Sequence, residues 1–125
     1  MPVRTRTLLC VLAIAAAGCG ETAPVDVPDG RVRITLDEYL IRPQAIRVPA
    51  GRPLTITVTN RGRLGHTFRL RAATRNVLAF TTIKPGETRT RTTRRPLAPG
   101  TYTMYCALAN HEELGMQGTL TVGKG

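Results

Sequence analysis

Apolar and polar residues alternate in several short stretches of the chain. The clearest alternating apolar positions are Val32, Ile34 and Leu36, then Leu54, Ile56 and Val58, and finally Leu120 and Val122. A period of two is typical of a β-strand that buries one face. Proline, glycine and asparagine separate these stretches, as at Pro85-Gly86 and Pro99-Gly100, and such residues favour turns. The pattern therefore predicts an all-β fold, either a sandwich or a barrel.

Two stretches depart from this simple alternation. Residues 87–95 alternate threonine with arginine and have no apolar face, so we expect an edge strand or a bowed connection there. Helical periodicity is absent apart from residues 108–114, which have room for one turn of helix. Neither stretch changes the all-β prediction.

Residues 1–18 are predicted to be a signal peptide. Arg4 and Arg6 precede an apolar run over residues 8–17, which has the length of a signal-peptide core and is too short to span a membrane. The run ends in Ala16-Ala17-Gly18-Cys19, which resembles the lipobox of bacterial lipoproteins. That resemblance implies cleavage before Cys19 and acylation of its thiol. Ordinary cleavage among the alanines, with Cys19 incidental, is the alternative, and the protein is exported in either case.

Residues 19–30 are predicted to form a flexible tether. They include two prolines and three acidic residues and show no periodicity, which is typical of a linker. A lipid on Cys19 would hold the domain formed by residues 31–125 at the extracytoplasmic face of the cell membrane, in the periplasm or at the cell wall.

The chain is strongly basic. It carries 18 Lys+Arg against 8 Asp+Glu, a formal net charge of +10, and such an excess raises the question of a nucleic-acid partner. The arginines are scattered between Arg31 and Arg95, and only three tyrosines and two phenylalanines are available to stack on bases. We therefore expect a solvated basic surface and no nucleic-acid partner.

Cys106 is the one cysteine expected in the folded domain. Of the three cysteines, Cys10 leaves with the signal peptide and Cys19 is the acylation site. A single thiol in an oxidising compartment needs an explanation. The four candidate explanations for Cys106 are an inert buried thiol, half of an intermolecular disulfide, a catalytic nucleophile and a thiolate bound to a metal.

The residues after Cys106 favour the metal. They form a Cys-x4-His-x4-Met motif with His111 and Met116, and the other histidine of the chain, His66, follows the loop of residues 60–65. A thiolate, two imidazoles and a thioether are a donor set that suits copper, bound in a His2Cys plane with a weak axial methionine. We expect Cys106 to end one strand and Met116 to begin the next, with His111 on the loop between them.

From residues 41–51 as far as Val122, the sequence resembles the cupredoxins, the small blue copper proteins. The loop spacing is more similar to azurin and rusticyanin than to plastocyanin. The resemblance implies a Greek-key β-sandwich of about seven to eight strands, with one type 1 copper ion at one end. The ligands that it implies by position are His66, Cys106, His111 and, in the axial place, Met116. Many cupredoxins have Asn or Asp after the first histidine ligand, whereas here Thr67 is expected to brace the ligand loop.

The resemblance also implies a function. The protein is expected to be a monomeric electron carrier outside the cytoplasm, not an enzyme, whose partner is a redox protein such as a cytochrome, an oxidase or a reductase. That partner is expected to approach His111 across an apolar collar on the ligand loop. The collar consists of Leu108, Ala109, Leu114 and Gly115.

Several alternatives stay open. Instead of an electron carrier, the domain would then be a copper-free sandwich, a zinc protein, an enzyme with a Cys–His nucleophile, or a copper-binding protein that delivers its metal and transfers no electrons. Gln117 is a rival for the axial position, but successive residues of a strand face opposite sides, so Met116 and Gln117 cannot both point at the site.

Overall fold

The structure, a computed structural model, describes residues 22–123, which form strands, turns and loops without a helix. The strands are β1 (Val25–Asp26), β2 (Arg31–Asp37), β3 (Leu40–Arg42), β4 (Ala45–Val48), β5 (Thr55–Asn60), β6 (His66–Ala72), β7 (Arg75–Ile83), β8 (Thr88–Thr92), β9 (Gly100–Tyr105) and β10 (Gln117–Val122). Accordingly, no helix within these residues is able to cross a membrane. The predicted signal peptide and Cys19 lie outside the described residues.

The strands form two mixed sheets that pack as a sandwich. One sheet has six strands in the order β1-β4-β10-β9-β6-β7, and the other has four in the order β3-β2-β5-β8. Most neighbours are antiparallel, but β2 and β5 run parallel, and β4 runs parallel to both β1 and β10. The all-β sandwich predicted from the sequence is confirmed.

Alternation of side chains along the strands builds the core. Val32, Ile34 and Leu36 of β2 are buried, while Arg31 and Arg33, which alternate with them along the strand, are exposed. The other apolar positions that the alternation singled out are buried as well, namely Leu54, Ile56, Val58, Leu120 and Val122. Burial of such side chains on the inner faces of two sheets is the main stabilising contribution to a sandwich.

The described part of the chain has ten strands where about seven to eight were expected. Two of the additional elements are the short strands β1 and β3. β1 lies within the segment predicted as a tether, where it pairs with β4 and is supported by an Arg47–Asp26 ion pair of 3.1 Å. A strand of two residues is too short to show alternation, so only the tertiary partner reveals it.

The threonine–arginine segment lies at a sheet edge, as predicted. Its strand, β8, pairs only with β5, and three cross-strand threonine pairs connect the two strands at 2.9–3.1 Å. Residues 108–114 form successive turns and no helix.

One end of the sandwich gathers the predicted ligands. β6 begins at His66, β9 ends at Tyr105 just before Cys106, and β10 begins just after Met116. Because β9 is antiparallel to both β6 and β10, the start of β6, the end of β9 and the start of β10 lie at the same end.

Candidate metal centre

Three side chains from two separate loops converge at this end. Nδ1 of His66 lies 3.2 Å from Nδ1 of His111, and Nδ1 of His111 lies 3.6 Å from Sγ of Cys106. One nitrogen of each histidine and the sulfur all lie within 4.8 Å of one another. Metal ions bind imidazole nitrogen at about 2.0 Å and thiolate at about 2.3 Å, so these separations allow one ion to contact all three atoms.

The sulfur of Cys106 lies in a buried and polar environment. The side chain is fully buried and forms no disulfide. The backbone N–H of Thr67 points to the sulfur at 3.4 Å, and the Thr67 hydroxyl lies 3.6 Å from it. The same hydroxyl accepts a 2.8 Å hydrogen bond from the backbone N–H of Ala107. The expectation that Thr67 braces the ligand loop is therefore confirmed.

His66 is fully buried and its two ring nitrogens face different surroundings. Nδ1 faces His111, whereas Nε2 is buried without a well-formed hydrogen bond and lies 3.5 Å from a carboxylate oxygen of Glu38. Burial lowers the pKa of His66, which keeps its imidazole neutral at pH 7. A neutral imidazole is the form that binds a metal.

The loop that precedes His66 is held by two polar side chains. Asn60 is fully buried, donates to the carbonyls of Leu64 and Ile83 at 2.8 Å each, and accepts from the N–H of Gly62 at 2.9 Å. Glu38 accepts from the N–H groups of residues 63 and 64. These backbone hydrogen bonds, led by that from Leu64, lower the pKa of the Glu38 carboxyl. Each bond satisfies a loop group and fixes the direction from which His66 enters the site.

The ligand loop after Cys106 is folded into turns and clamped from outside. Glu112 forms an ion pair with Arg71 of β6 at 2.6 Å, and this pairing raises the pKa of the Arg71 guanidinium. The same guanidinium lies 4.2 Å above the ring of Tyr105. Ala109 and Gly115 have positive φ angles of 44° and 106°, so the chain reverses within a short loop.

Met116 closes the ligand loop. Its side chain is fully buried. Its N–H donates to the carbonyl of His111 at 3.0 Å, and its carbonyl accepts from the N–H of Cys106 at 3.2 Å. The backbone of Met116 is thus bonded to both of the loop residues that converge with His66.

The structure also shows contacts that sequence reasoning missed. Asn60, Glu38 and Tyr39 all support the two histidines, yet none of them belongs to a motif. Their only sequence signal is that polar residues follow the apolar alternation of β2 and β5. In the expected collar, Leu114 is 50 % exposed whereas Leu108 is partly buried against the core, and Leu64, on the other loop, is 44 % exposed.

The donor set fits copper better than zinc. Two imidazoles and one thiolate in a plane, with a thioether nearby, are the ligands of mononuclear copper sites for electron transfer. Structural zinc sites are usually built from four Cys and His ligands, but the chain contains only two histidines, and the described residues include no second cysteine. The buried Nε2 of His66, directed at a carboxylate, leaves Nδ1 as the metal-facing nitrogen.

Comparison with known protein families agrees with the fold and the site. The family model of the cupredoxin-like domain matches residues 8–122. The chain therefore belongs to the cupredoxin-like family. No curated protein matches the sequence.

Solved structures with the same fold include auracyanins and rusticyanin. Reduced auracyanin from the photosynthetic bacterium Roseiflexus castenholzii is 22 % identical with a TM-score of 0.69, over 78 % of this chain and 99 % of that one. Auracyanin B is 23 % identical with a TM-score of 0.63, over 82 % and 92 % of the two chains. Reduced rusticyanin is 18 % identical with a TM-score of 0.64, over 85 % and 88 %.

Proposed function

We propose that this protein binds one type 1 copper ion and carries single electrons outside the cytoplasm. The observation that carries this proposal is the convergence of His66 Nδ1, His111 Nδ1 and Cys106 Sγ at one buried end of a cupredoxin fold. Met116, buried and bonded through its backbone to both loop residues, is the axial donor in this proposal. Copper bound there supplies a centre that accepts and releases one electron.

The surroundings of the site support electron transfer by keeping the donors in place. Cys106 and His66 are fully buried and His111 is only 9 % exposed, so water has little access. The Arg71–Glu112 ion pair and the Thr67–Ala107 hydrogen bond hold the ligand loop against β6. A site that is held in one geometry needs little rearrangement when the charge of its metal changes, which favours fast electron exchange.

Copper delivery is the alternative, and the burial of the donors argues against it. A protein that passes its metal on needs ligands that a partner is able to reach, whereas these donors lie beneath two braced loops. The chain also offers few methionines, three in all, of which Met104 packs in the core. We therefore favour a carrier of electrons over a carrier of copper.

A redox cycle in solution distinguishes the two functions. The full chain is loaded with one equivalent of Cu(II), reduced by one electron equivalent, and reoxidised in the presence of a Cu(I) chelator. An electron carrier loses its visible absorption on reduction and regains it fully on reoxidation. Loss of the copper to the chelator in the reduced state would instead support delivery.

We place the contact with the redox partner at the metal end. Both loops that carry a histidine expose a leucine there, Leu64 on one and Leu114 on the other. Small apolar contacts are typical of the brief encounters between redox proteins. The partner, a redox protein such as a cytochrome, would approach His111 across these side chains, and this contact requires only a monomer.

Export and anchoring belong to the same proposal. The apolar run over residues 8–17 and the sequence that ends in Cys19 support an acylated protein at the extracytoplasmic face of the membrane. An acyl chain contributes about 0.8 kcal/mol of membrane affinity per buried CH₂, independent of salt. In cells, C19A should move the protein from the membrane to the soluble fraction. If high salt alone releases the wild-type protein, the attachment is electrostatic.

A further inference from the structure

The turn between β2 and β3 contacts both histidines of the site, although it contributes no ligand. It consists of two residues, Glu38 and Tyr39, between the paired residues Asp37 and Leu40. Glu38 approaches His66 and Tyr39 approaches His111. A single turn therefore reaches the histidines of two different loops.

Glu38 lies at the back of the His66 ring. Its Oε1 is 3.5 Å from His66 Nε2, the nitrogen that faces away from His111. The same oxygen accepts the N–H of Leu64 at 3.0 Å and that of Arg63 at 2.6 Å. These two backbone bonds fix the carboxylate beside Nε2, where it favours a proton on Nε2 and a free lone pair on Nδ1.

Gly62 provides the space that this arrangement needs. A Cβ atom at residue 62 would collide with Oε1 of Glu38 and would lie 3.2 Å from Nε2 of His66. A larger residue would therefore push the carboxylate away from the ring. The φ angle of Gly62 does not require glycine. The close approach of the Glu38 carboxylate is therefore the reason that residue 62 has no side chain.

Tyr39 packs against the second histidine and adopts an unusual backbone conformation. Its ring centroid lies 5.1 Å from that of His111, with the two planes at 75°. Its φ angle is +60°, a left-handed conformation that favours glycine or asparagine over tyrosine. Backbone strain of this kind is concentrated at functional sites, and here it brings the tyrosine ring to His111.

We infer that the Glu38–Tyr39 turn is a positioning element, which holds both histidines with Nδ1 directed at the metal before the metal binds. Carboxylates that accept the second N–H of a ligating histidine fix its tautomer and orientation in many metal sites. Here the carboxylate comes from outside both ligand loops. The inference rests on the proposed copper site for its purpose, but the orientation of the rings is a property of the chain alone.

The tautomer of His66 tests the inference without copper. Long-range ¹H–¹⁵N spectra of the metal-free full chain should show His66 protonated on Nε2 alone. E38Q keeps the shape but removes the carboxylate, and G62A keeps the carboxylate but displaces it, so both variants should give a mixture of tautomers. An Nε2-protonated His66 that persists in both variants would overturn the role of Glu38.

Copper affinity provides the second readout. Loss of a partner of this kind typically weakens metal binding about 10- to 100-fold, so E38Q and G62A should each lose copper to a competing chelator at a correspondingly lower chelator concentration. E113Q is the matched control, since Glu113 is exposed on the ligand loop and its substitution removes the same charge. If E38Q and E113Q lose the same copper affinity, the effect of Glu38 comes from its negative charge alone, and the inference is overturned.

Tyr39 is tested by a pair of variants. Y39N relieves the left-handed strain but removes the ring, and Y39F keeps the ring. We expect Y39N to release copper faster than the wild type, while Y39F matches the wild type. If Y39N retains copper as well as Y39F does, Tyr39 has no positioning role. If the wild-type chain failed to bind Cu(II), the copper function would be refuted, but the result on the tautomer of His66 in the metal-free protein would remain valid.

Discussion

The sulfur of Cys106 shows how a single neighbour controls a donor atom. Thr67 directs both its N–H and its hydroxyl at the sulfur, and the hydroxyl also holds the N–H of Ala107. Hydrogen bonds to a thiolate withdraw electron density from it and so tune the reduction potential of a bound copper. Thr67 therefore links the rigidity of the ligand loop to the chemistry of the site.

Removal of that hydroxyl gives a prediction for both properties. T67V should lower the free energy of unfolding by about 1 kcal/mol, because the N–H of Ala107 loses its partner. It should also lower the reduction potential of the copper-loaded protein, because the thiolate becomes a stronger donor to Cu(II). Urea unfolding and voltammetry measure the two effects. T67S, which keeps the hydroxyl, is the control, and an unchanged potential in T67V would contradict the account.

At the residue scale, sequence reasoning found the metal-facing side chains but not their supports. His66, Cys106 and His111 were identifiable because rare, chemically distinctive residues occurred in a known spacing. Glu38 and Asn60 are common polar residues whose importance comes from contacts across the fold. Glu38 lies 28 residues before His66 in the sequence, and Asn60 lies 23 residues before Ile83. Spacing along the chain carries no information about such contacts.

At the scale of elements, the connection from β7 to β8 supports the site from a distance. Asn60 accepts the N–H of Gly86 at 2.8 Å and donates its own N–H to the carbonyl of Glu87 at 3.0 Å. The Glu87 side chain in turn accepts from the backbone N–H of Lys84 and from Arg89, at 2.8 Å each. This turn therefore helps to hold the residue that fixes the loop before His66.

The Glu87 carboxyl makes the stability of this turn depend on pH. The N–H of Lys84, followed by Arg89, lowers the pKa of Glu87 below its ordinary value of 4.5. Because the folded protein favours the charged carboxylate, Glu87 stabilises the fold above pH 4.5. This contribution is lost as the pH falls through the pKa that Glu87 has in the folded protein. E87Q should therefore be less stable than the wild type at pH 7, and the difference should shrink below pH 4.5.

Urea unfolding at pH 7, 4 and 3 measures this difference. E113Q, which removes the same charge at an exposed position, serves as the control. A gap between E87Q and the wild type that stays constant from pH 7 to pH 3 would show that the carboxylate charge does not stabilise the turn.

Among the elements, the long alternating strands were predictable and the short ones were not. β2 and β5 show their buried face directly in the sequence, and the arginines of β8 predicted its edge position. β1 has only two residues and depends on its pairing with β4. Residues 108–114 have helix-compatible composition, but the need to return from β9 to β10 through His111 forces tight turns there instead.

For the molecule as a whole, the important asymmetry is between its ends. Within residues 22–123, three large apolar side chains are strongly exposed, and two of them, Leu64 and Leu114, lie at the metal end. The third, Val25, is 46 % exposed on the edge strand β1. Apolar exposure at the metal end is consistent with a contact surface for electron exchange.

A charge placed in that surface tests its role. L114D should slow electron exchange with a redox partner, or self-exchange, at least several-fold, because a desolvated carboxylate opposes close approach. It should leave the visible spectrum and the potential nearly unchanged. V25D introduces the same charge at an exposed apolar position on β1 and is the control. Stopped-flow rates that fall equally in both variants would place the electron entry point elsewhere.

The central claim is that Cys106, His66 and His111 bind copper as a thiolate site, and one titration tests it most directly. Full-length protein receives Cu(II) in steps while its visible absorption is recorded, with C106S treated in parallel. We expect intense absorption from thiolate-to-copper charge transfer that saturates at one equivalent in the wild type and is absent in C106S. A wild-type chain that stays colourless at one equivalent of Cu(II), or a C106S variant with the same colour, would contradict it.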